Sequence, residues 1–205
     1  MNEEKLFYER EGLSRGYKII AGIDEVGRGP LAGPVVCAAV ILPLDDIIEG
    51  VDDSKKITKK KREVLYEKIT KKAISYDIER IEPEEIDEIN ILEATKKCML
   101  ACIANLPVKP DLVLIDAVKL NSPVDTLSIV KGDAKSYLIG AASIVAKVYR
   151  DRIMEEYSEV YRDYGFERNS GYGTKEHIAA IKRTGACPIH RKTFIKNFSE
   201  EKEKN

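Results

Sequence analysis

Hydrophobic and polar positions alternate in blocks along this chain, and the blocks predict the elements. Residues 3–14 carry a helical period. YKIIAGID (17–24) and PVVCAAVIL (34–42) have the β-branched look of strands, and the second is apolar almost throughout, as a strand covered on both faces must be. Residues 58–72 form an amphipathic helical stretch behind a capping residue. AISYDIERI (73–81) alternates and predicts a third strand. Residues 83–106 open with proline and acids, the chemistry of a helix start, and continue as one helix. DLVLID (111–116) and DTLSIV (125–130) are short apolar strands; a long helix is expected from Ala134 to about Tyr164, and another over GTKEHIAAIKRTG, from Thr174 to Gly185. Three early strands followed by two that alternate with helices predict an α/β fold, a mixed sheet flanked by helices.

Composition narrows this picture only modestly. With 205 residues, 43% hydrophobic, the chain can bury a substantial core. It carries 34 basic residues against 35 acidic ones, so any affinity for nucleic acid must come from a local patch. No apolar run approaches the roughly 20 residues of a membrane span, and the acidic start MNEEKLFYEREG is unlike a signal peptide. Four cysteines without a CxxC pair (37, 98, 102 and 187) read as reduced thiols. The expectation is a cytoplasmic protein with no membrane association. The tail SEEKEKN is expected to be disordered.

The chemistry sits at segment ends. Asp24 and Glu25 close the first strand, Asp116 closes LVLI, and Asp133 follows LSIVKG. If those strands neighbour one another, the acids converge, and bare convergence would repel unless a cation intervenes. Oxygen ligands without nearby His or Cys favour Mg²⁺ or Mn²⁺, and two such ions about 3.5–4 Å apart serve phosphoryl transfer. Plainer roles stay open: Asp133 as a helix N-cap, Asp116 as a turn residue, and Asp24-Glu25 as an ordinary surface pair.

The loop GRGPLAGP after the first strand raises a rival. Gly27-Arg28-Gly29-Pro30-Leu31-Ala32 fits G-x-G-x-x-A, a variant of the dinucleotide fingerprint. A nucleotide-binding fold needs a helix to start inside the glycines. Here Pro30 and Gly33-Pro34 interrupt the segment and VVCAAVIL continues as a strand. What remains is a loop whose amides can approach a sugar-phosphate, with Arg28 available for phosphate.

GIDEVGRGPLAGPVVCAAVIL, DDSKKIT, INILEATKKCM, LVLIDAV, KGDAKSYLIGAASIVAKVYRDR, GYGTKEH and CPIHRKTF together resemble bacterial ribonuclease HII, over residues 16–198 and in that family's order. The resemblance implies a ribonuclease H-like fold, with a mixed five-stranded sheet, flanking helices and a C-terminal helical extension, in one domain over 1–198. It implies metal-dependent endonucleolytic cleavage of RNA in RNA–DNA hybrid duplexes and at single ribonucleotides in DNA, leaving 3′-hydroxyl and 5′-phosphate ends. By the same resemblance Asp24, Glu25, Asp116 and Asp133 hold two Mg²⁺ or Mn²⁺ ions, with Asp24 between them. Gly27, Arg28 and Gly29 would read the 2′-hydroxyl beside Tyr172, and Lys55 and Lys56 would lie near the active site. The protein is expected to act as a monomer. A non-catalytic hybrid-binding protein would share the loops but lack one or more of the acids.

Other features have plainer readings. KKITKKKR, residues 55–62, either binds duplex backbone or is a solvated helix face. Lys147 and Arg150 face phosphate or solvent. Cys98 and Cys102, at i and i+4, share a helix face and fit core packing. His177 and His190 fit packing or surface roles better than proton transfer, and Tyr172 has a core-covering alternative.

Overall fold

The computed structural model describes residues 3–51 and 57–199; Lys55, Lys56 and the tail beyond Ser199 lie outside the described residues. A 3₁₀ turn, Glu3–Leu6, leads into α1 (Phe7–Ser14). Strands β1 (Ile20–Val26) and β2 (Val35–Ile41) follow, then α2 (Lys59–Lys72) behind the N-cap Thr58, and β3 (Ser75–Ile81). The predicted single helix over 83–106 is two helices, α3 (Pro83–Ile89) and α4 (Ile91–Asn105). Asn90 breaks it with φ of 67°, and its side chain accepts from Leu92 N and Glu93 N at 3.0 and 3.1 Å. Asparagine tolerates the left-handed region and is a strong N-cap, so the chain turns there.

Strands β4 (Leu112–Asp116) and β5 (Asp125–Ile129) complete a sheet ordered β3-β2-β1-β4-β5. β1 pairs antiparallel with β2, and β2 with β3, whereas β1, β4 and β5 run parallel. The mixed five-stranded sheet is as expected. The long helix starts later than the sequence suggested: a short α5 (Gly132–Lys135) precedes α6 (Tyr137–Val160), which Ser136 caps by accepting from Ile139 N. Asp133 is therefore not the cap of the long helix. A 3₁₀ turn (Arg162–Tyr164), α7 (Phe166–Asn169), α8 (Lys175–Thr184) and α9 (Lys192–Ser199) form the C-terminal part.

Side-chain alternation along the strands sorts the core into two layers. Ile20, Val36, Ala38, Val40, Leu112 and Leu114 face α6. Ala21, Ile23, Val35, Cys37, Val113 and Ile115 face α4, where Cys98 and Cys102 are buried as core residues. Each fully buried aliphatic side chain contributes roughly 1.5–3 kcal/mol. α6 lies so close to β1 that a Cβ on Gly22 would stand 2.2 Å from the backbone carbon of Leu138. Glycine at 22 is what lets the helix cross the strand two residues before Asp24. Among the described residues no helix is long and apolar enough to cross a membrane, and all four cysteines are free thiols.

Candidate active site

The parallel register of β1 and β4 brings the first two acids together. Ile23 stands opposite Ile115, so the next pair in register is Asp24 and Asp116. Both continue the α6-facing row, Ile20-Gly22-Asp24 beside Leu112-Leu114-Asp116. Asp133 joins them through the backbone: Gly132 N donates to Asp116 Oδ1 at 2.7 Å. Glu25, the next residue on β1, sits opposite Cys37 and turns toward the other side of the sheet. Asp24, Glu25 and Asp116 are thus the acids that act on one another, and Asp133 follows the glycine whose amide holds Asp116.

Electrostatics reports the same clustering. Asp24 is 6% exposed, and burial, reinforced by the charges of Glu25 and Asp116, holds its carboxyl well above the usual carboxylate range; hydrogen bonds from Ser143 and Glu25 N only partly offset this. Burial also raises Glu25, against the opposing pull of Arg28, whose Nη1 lies 3.3 Å from Glu25 Oε1. The other oxygen, Glu25 Oε2, is buried without a hydrogen-bond partner. Orphaned carboxylate oxygens are costly, and this one suits a cation.

Among the described residues, no three or more His, Cys, Asp or Glu side chains form a closed metal-ligand set as they stand. Asp24 Oδ1 accepts from Glu25 N at 2.8 Å, Asp116 Oδ1 from Gly132 N, and Asp133 Oδ1 from Ala134 N at 2.9 Å. Three of the four acids thus each accept a hydrogen bond from a backbone amide. The donor chemistry, carboxylate oxygens alone, fits a hard cation.

The backbone around the acids is strained. Ala117 (φ 51°) follows Asp116, Lys131 (φ 58°) precedes Gly132-Asp133, and Ser170 (φ 48°) lies two residues before Tyr172. Non-glycine residues in this region cost roughly 1–3 kcal/mol each and cluster where function fixes geometry.

The glycine loop between β1 and β2 is clamped from beneath by two buried arginines that sequence reasoning misassigned or passed over. Arg150 does not face phosphate or solvent. It is fully buried and donates through Nε to Pro34 O (2.9 Å), Nη1 to Ser170 O (2.9 Å) and Nη2 to Ala32 O (3.1 Å). Arg191, also fully buried, reaches Gly33 O at 3.0 and 2.8 Å, Arg28 O at 3.0 Å and Gly27 O at 2.5 Å. Burial lowers Arg150 to about 10 and, with the neighbouring Arg150 charge, Arg191 to about 9, so both stay cationic at neutral pH. For Arg150 the signal was present: Ala146, Arg150 and Met154 share one buried stripe of α6 at i, i+4, i+8. No local pattern marks Arg191.

With the carbonyls of Gly27 and Arg28 turned inward, no protein acceptor is found among the described residues for the N–H groups of Arg28 and Gly29. Tyr172 stands beside them: a Cβ on Gly29 would lie 3.8 Å from Tyr172 Cε1. At 44% exposure Tyr172 is a surface residue and not a core cover. Its segment is tied to the loop by Leu31 N to Gly171 O at 2.8 Å.

The basic stretch before and along α2 divides. Lys55 and Lys56 lie outside the described residues. Lys59 pairs with Glu155, Arg62 with Asp151 at 3.7 Å, and Lys147 with Asp151 at 2.6 Å. The α2 charges Lys59 and Arg62 are thus partly neutralised by acids of α6, which favours the solvated-face reading for this part of the helix.

Comparison with known proteins agrees with the fold and the loops. The sequence model of ribonuclease HII matches residues 21–197. A ribonuclease HII of Acetivibrio thermocellus is 58% identical over 196 residues, covering 95% of this chain and 77% of that protein. One of Enterococcus faecalis is 53% identical over 187 residues, covering 91% and 73%. The crystal structure of ribonuclease H2 from Pyrococcus horikoshii matches with a TM-score of 0.79 at 30% identity, over 92% of this chain and all (100%) of that one. The ribonuclease HII of Archaeoglobus fulgidus, solved as a complex with PCNA, matches at 0.77 and 29% identity, over 89% and 97%. A match across nearly the whole chain leaves no room for the dinucleotide-binding alternative: the chain belongs to the ribonuclease HII family, endonucleases that degrade the RNA of RNA–DNA hybrids.

Proposed function

We propose that this protein cuts both long RNA–DNA hybrids and duplex DNA containing a single ribonucleotide. It would use two Mg²⁺ or Mn²⁺ ions held by Asp24, Glu25, Asp116 and Asp133, leaving a 3′-hydroxyl and a 5′-phosphate. The observation that carries this reading is the set of acids at the ends of β1 and β4, with a buried, unpartnered oxygen on Glu25. When bound, the cations would neutralise the cluster and stabilise charge on the attacking and leaving oxygens of the phosphate.

The chain's own residues supply recognition. Asp24, whose carboxyl feels the charges of both Glu25 and Asp116, would be the central ligand of the set. The outward amides of the Gly27-Arg28-Gly29 segment donate to the 2′-hydroxyl, an interaction that DNA cannot offer. Tyr172 covers the adjacent sugar. Arg28, which pairs with Glu25, would be the group available to a phosphate, and Lys55 and Lys56 would add phosphate contacts. One monomer carries all these groups, and its setting is the cytoplasm.

The test is incubation with Mg²⁺ and three duplexes: one with a single ribonucleotide, one with a long RNA tract and one all-DNA. Cleavage of the first two, abolished by excess chelator, is expected. Cutting of the all-DNA duplex, or activity in chelator, would contradict the reading.

A further inference from the structure

The stretches GYGTKEH and CPIHRKTF contribute two imidazoles that nothing above uses. His177 on α8 and His190 in the turn before α9 are both buried, and their Nε2 atoms are 3.0 Å apart. Such a contact needs one shared hydrogen, since two bare nitrogens repel and two N–H groups clash. The outer partners decide which ring carries it. His177 Nδ1 is 2.9 Å from the carbonyl oxygen of Tyr172, which can only accept. Nδ1 therefore bears hydrogen, and in a neutral ring Nε2 is bare. At the other end, His190 Nδ1 receives Cys187 N–H at 2.9 Å and stands 3.1 Å from the Cys187 thiol. That nitrogen is bare, so His190 Nε2 bears hydrogen and donates to His177. The two ends, read independently, give the same direction.

One contact runs the other way. Cys187 O lies 3.3 Å from His190 Nδ1 and would want a donor there. The shorter contact from the backbone N–H decides against it, because a hydrogen on Nδ1 would collide with that N–H. Burial raises the Cys187 thiol to about 11, so its sulfur keeps its hydrogen. The groups facing the pair are the ring of Tyr164, centred 4.8 Å from His190, and that of Phe166, centred 5.3 Å from His177. Arg191, next in the chain, points its guanidinium at the glycine loop. Among the described residues neither imidazole meets a carboxylate. Burial lowers both rings, His190 to about 4.

We propose that this neutral pair is a positioning device: a one-way hydrogen-bond chain from Cys187 through His190 and His177 to the Tyr172 carbonyl fixes Tyr172 against the glycine loop. The two histidines then govern discrimination of a single ribonucleotide without touching it. This rests on the reading of Tyr172 as a substrate contact. Protonation of either ring breaks the chain, since an extra hydrogen on His190 Nδ1 opposes Cys187 N–H and one on His177 Nε2 opposes its partner. Both rings titrate below their ordinary value of about 6.5, so the chain is intact above that pH and is lost as pH falls toward about 4 at His190.

Two measurements test this. Imidazole ¹⁵N correlation spectra at neutral pH should show hydrogen on Nδ1 of His177 and on Nε2 of His190; any other pair of tautomers overturns the chain, whatever the variants do. The second is kcat/KM on the single-ribonucleotide and long-RNA duplexes for wild type, Tyr172→Ala, His177→Leu and His177→Asn. Leucine should lower the single-ribonucleotide value by about three- to tenfold relative to the long tract, the effect of one hydrogen bond. Asparagine, whose amide can still donate to the Tyr172 carbonyl, should restore most of it. Equal losses on both duplexes, or no difference between folded Leu and Asn variants, overturn the proposal. If Tyr172→Ala leaves the ratio unchanged, Tyr172 is not a substrate contact and the proposal falls with that reading, whereas a shifted ratio there with an unshifted one in His177→Leu condemns the histidine chain alone. Should His177→Leu fail to fold, the spectra and their pH titration decide: either ring gaining its second hydrogen above its ordinary value of about 6.5 would overturn the neutral chain.

Discussion

Gly27 and Gly29 are separated by one residue, yet alanine should do opposite things at the two positions. Gly27 has φ of +94°, and a Cβ there would stand 2.3 Å from Arg150 Nε and 2.7 Å from Pro34 O. A left-handed φ costs an L-residue roughly 1–2 kcal/mol. Overpacking against a clamped guanidinium and backbone adds roughly 1–3 kcal/mol, a total of about 2–5 kcal/mol. At roughly 2–4 °C per kcal/mol for a domain of this size, Gly27→Ala should lower Tm by about 4–20 °C. Gly29 lies outside the left-handed region and its Cβ would meet nothing closer than Tyr172 Cε1 at 3.8 Å. Alanine there restricts the unfolded chain, worth roughly 0.4–1 kcal/mol, so Tm should hold or rise by about 1–4 °C. Its methyl, however, enters the space assigned to the ribose, and losing one hydrogen bond there should cost up to roughly tenfold in kcat/KM. Thermal unfolding and single-ribonucleotide cleavage measured on both variants check this. A fully active Gly29→Ala, or a Gly27→Ala as stable as wild type, would refute the reasoning.

Three further outcomes follow from the same geometry. Without divalent cation, Asp24→Asn should be more stable than wild type at neutral pH: the folded-state pKa of Asp24 is raised, so its contribution is favourable only below the unfolded value and is lost as pH rises. The gap should close in acid, and a less stable variant in urea melts at pH 7 would count against the buried-repulsion account. Tyr172→Phe should slow single-ribonucleotide cleavage by about tenfold at most, as one hydrogen bond allows, with a smaller effect on long RNA; equal slowing of both would make its hydroxyl structural. Charge reversal at Lys55 and Lys56 should weaken hybrid binding and flatten its salt dependence more than reversal at Lys59 and Lys60, of which Lys59 already pairs with Glu155; equal losses in salt titrations would indicate a diffuse basic helix.

Most of the sheet was legible because strand and turn signals are local. The apolar run of β2 and the glycine-rich turn before it are written in adjacent residues, and so is the cap at Thr58. The break at Asn90 was missed because the helical period continues across it without Gly or Pro. Its signal was Asn90 followed three residues later by Glu93, a helix-start pattern inside a helix. The acids could be picked out singly at segment ends, but their convergence depends on the pairing of β1 with β4, strands about 90 residues apart in sequence. Arg150 and Arg191 were not legible as clamps. Charged residues are rarely fully buried, and apart from Ser170 O, which meets Arg150, the carbonyls that satisfy these two come from a loop more than 100 residues away.

Catalysis in this protein depends, on the reading proposed above, on Asp24 as a metal-holding group. The direct measurement is the rate of single-ribonucleotide cleavage by folded Asp24→Asn at saturating Mg²⁺, beside wild type. The substitution conserves volume and removes only the charge, so cleavage should fall to background while circular dichroism and melting show an intact fold. Turnover near the wild-type rate would mean that the acid at the end of β1 is a strand-end residue, and the metal site would have to be sought elsewhere.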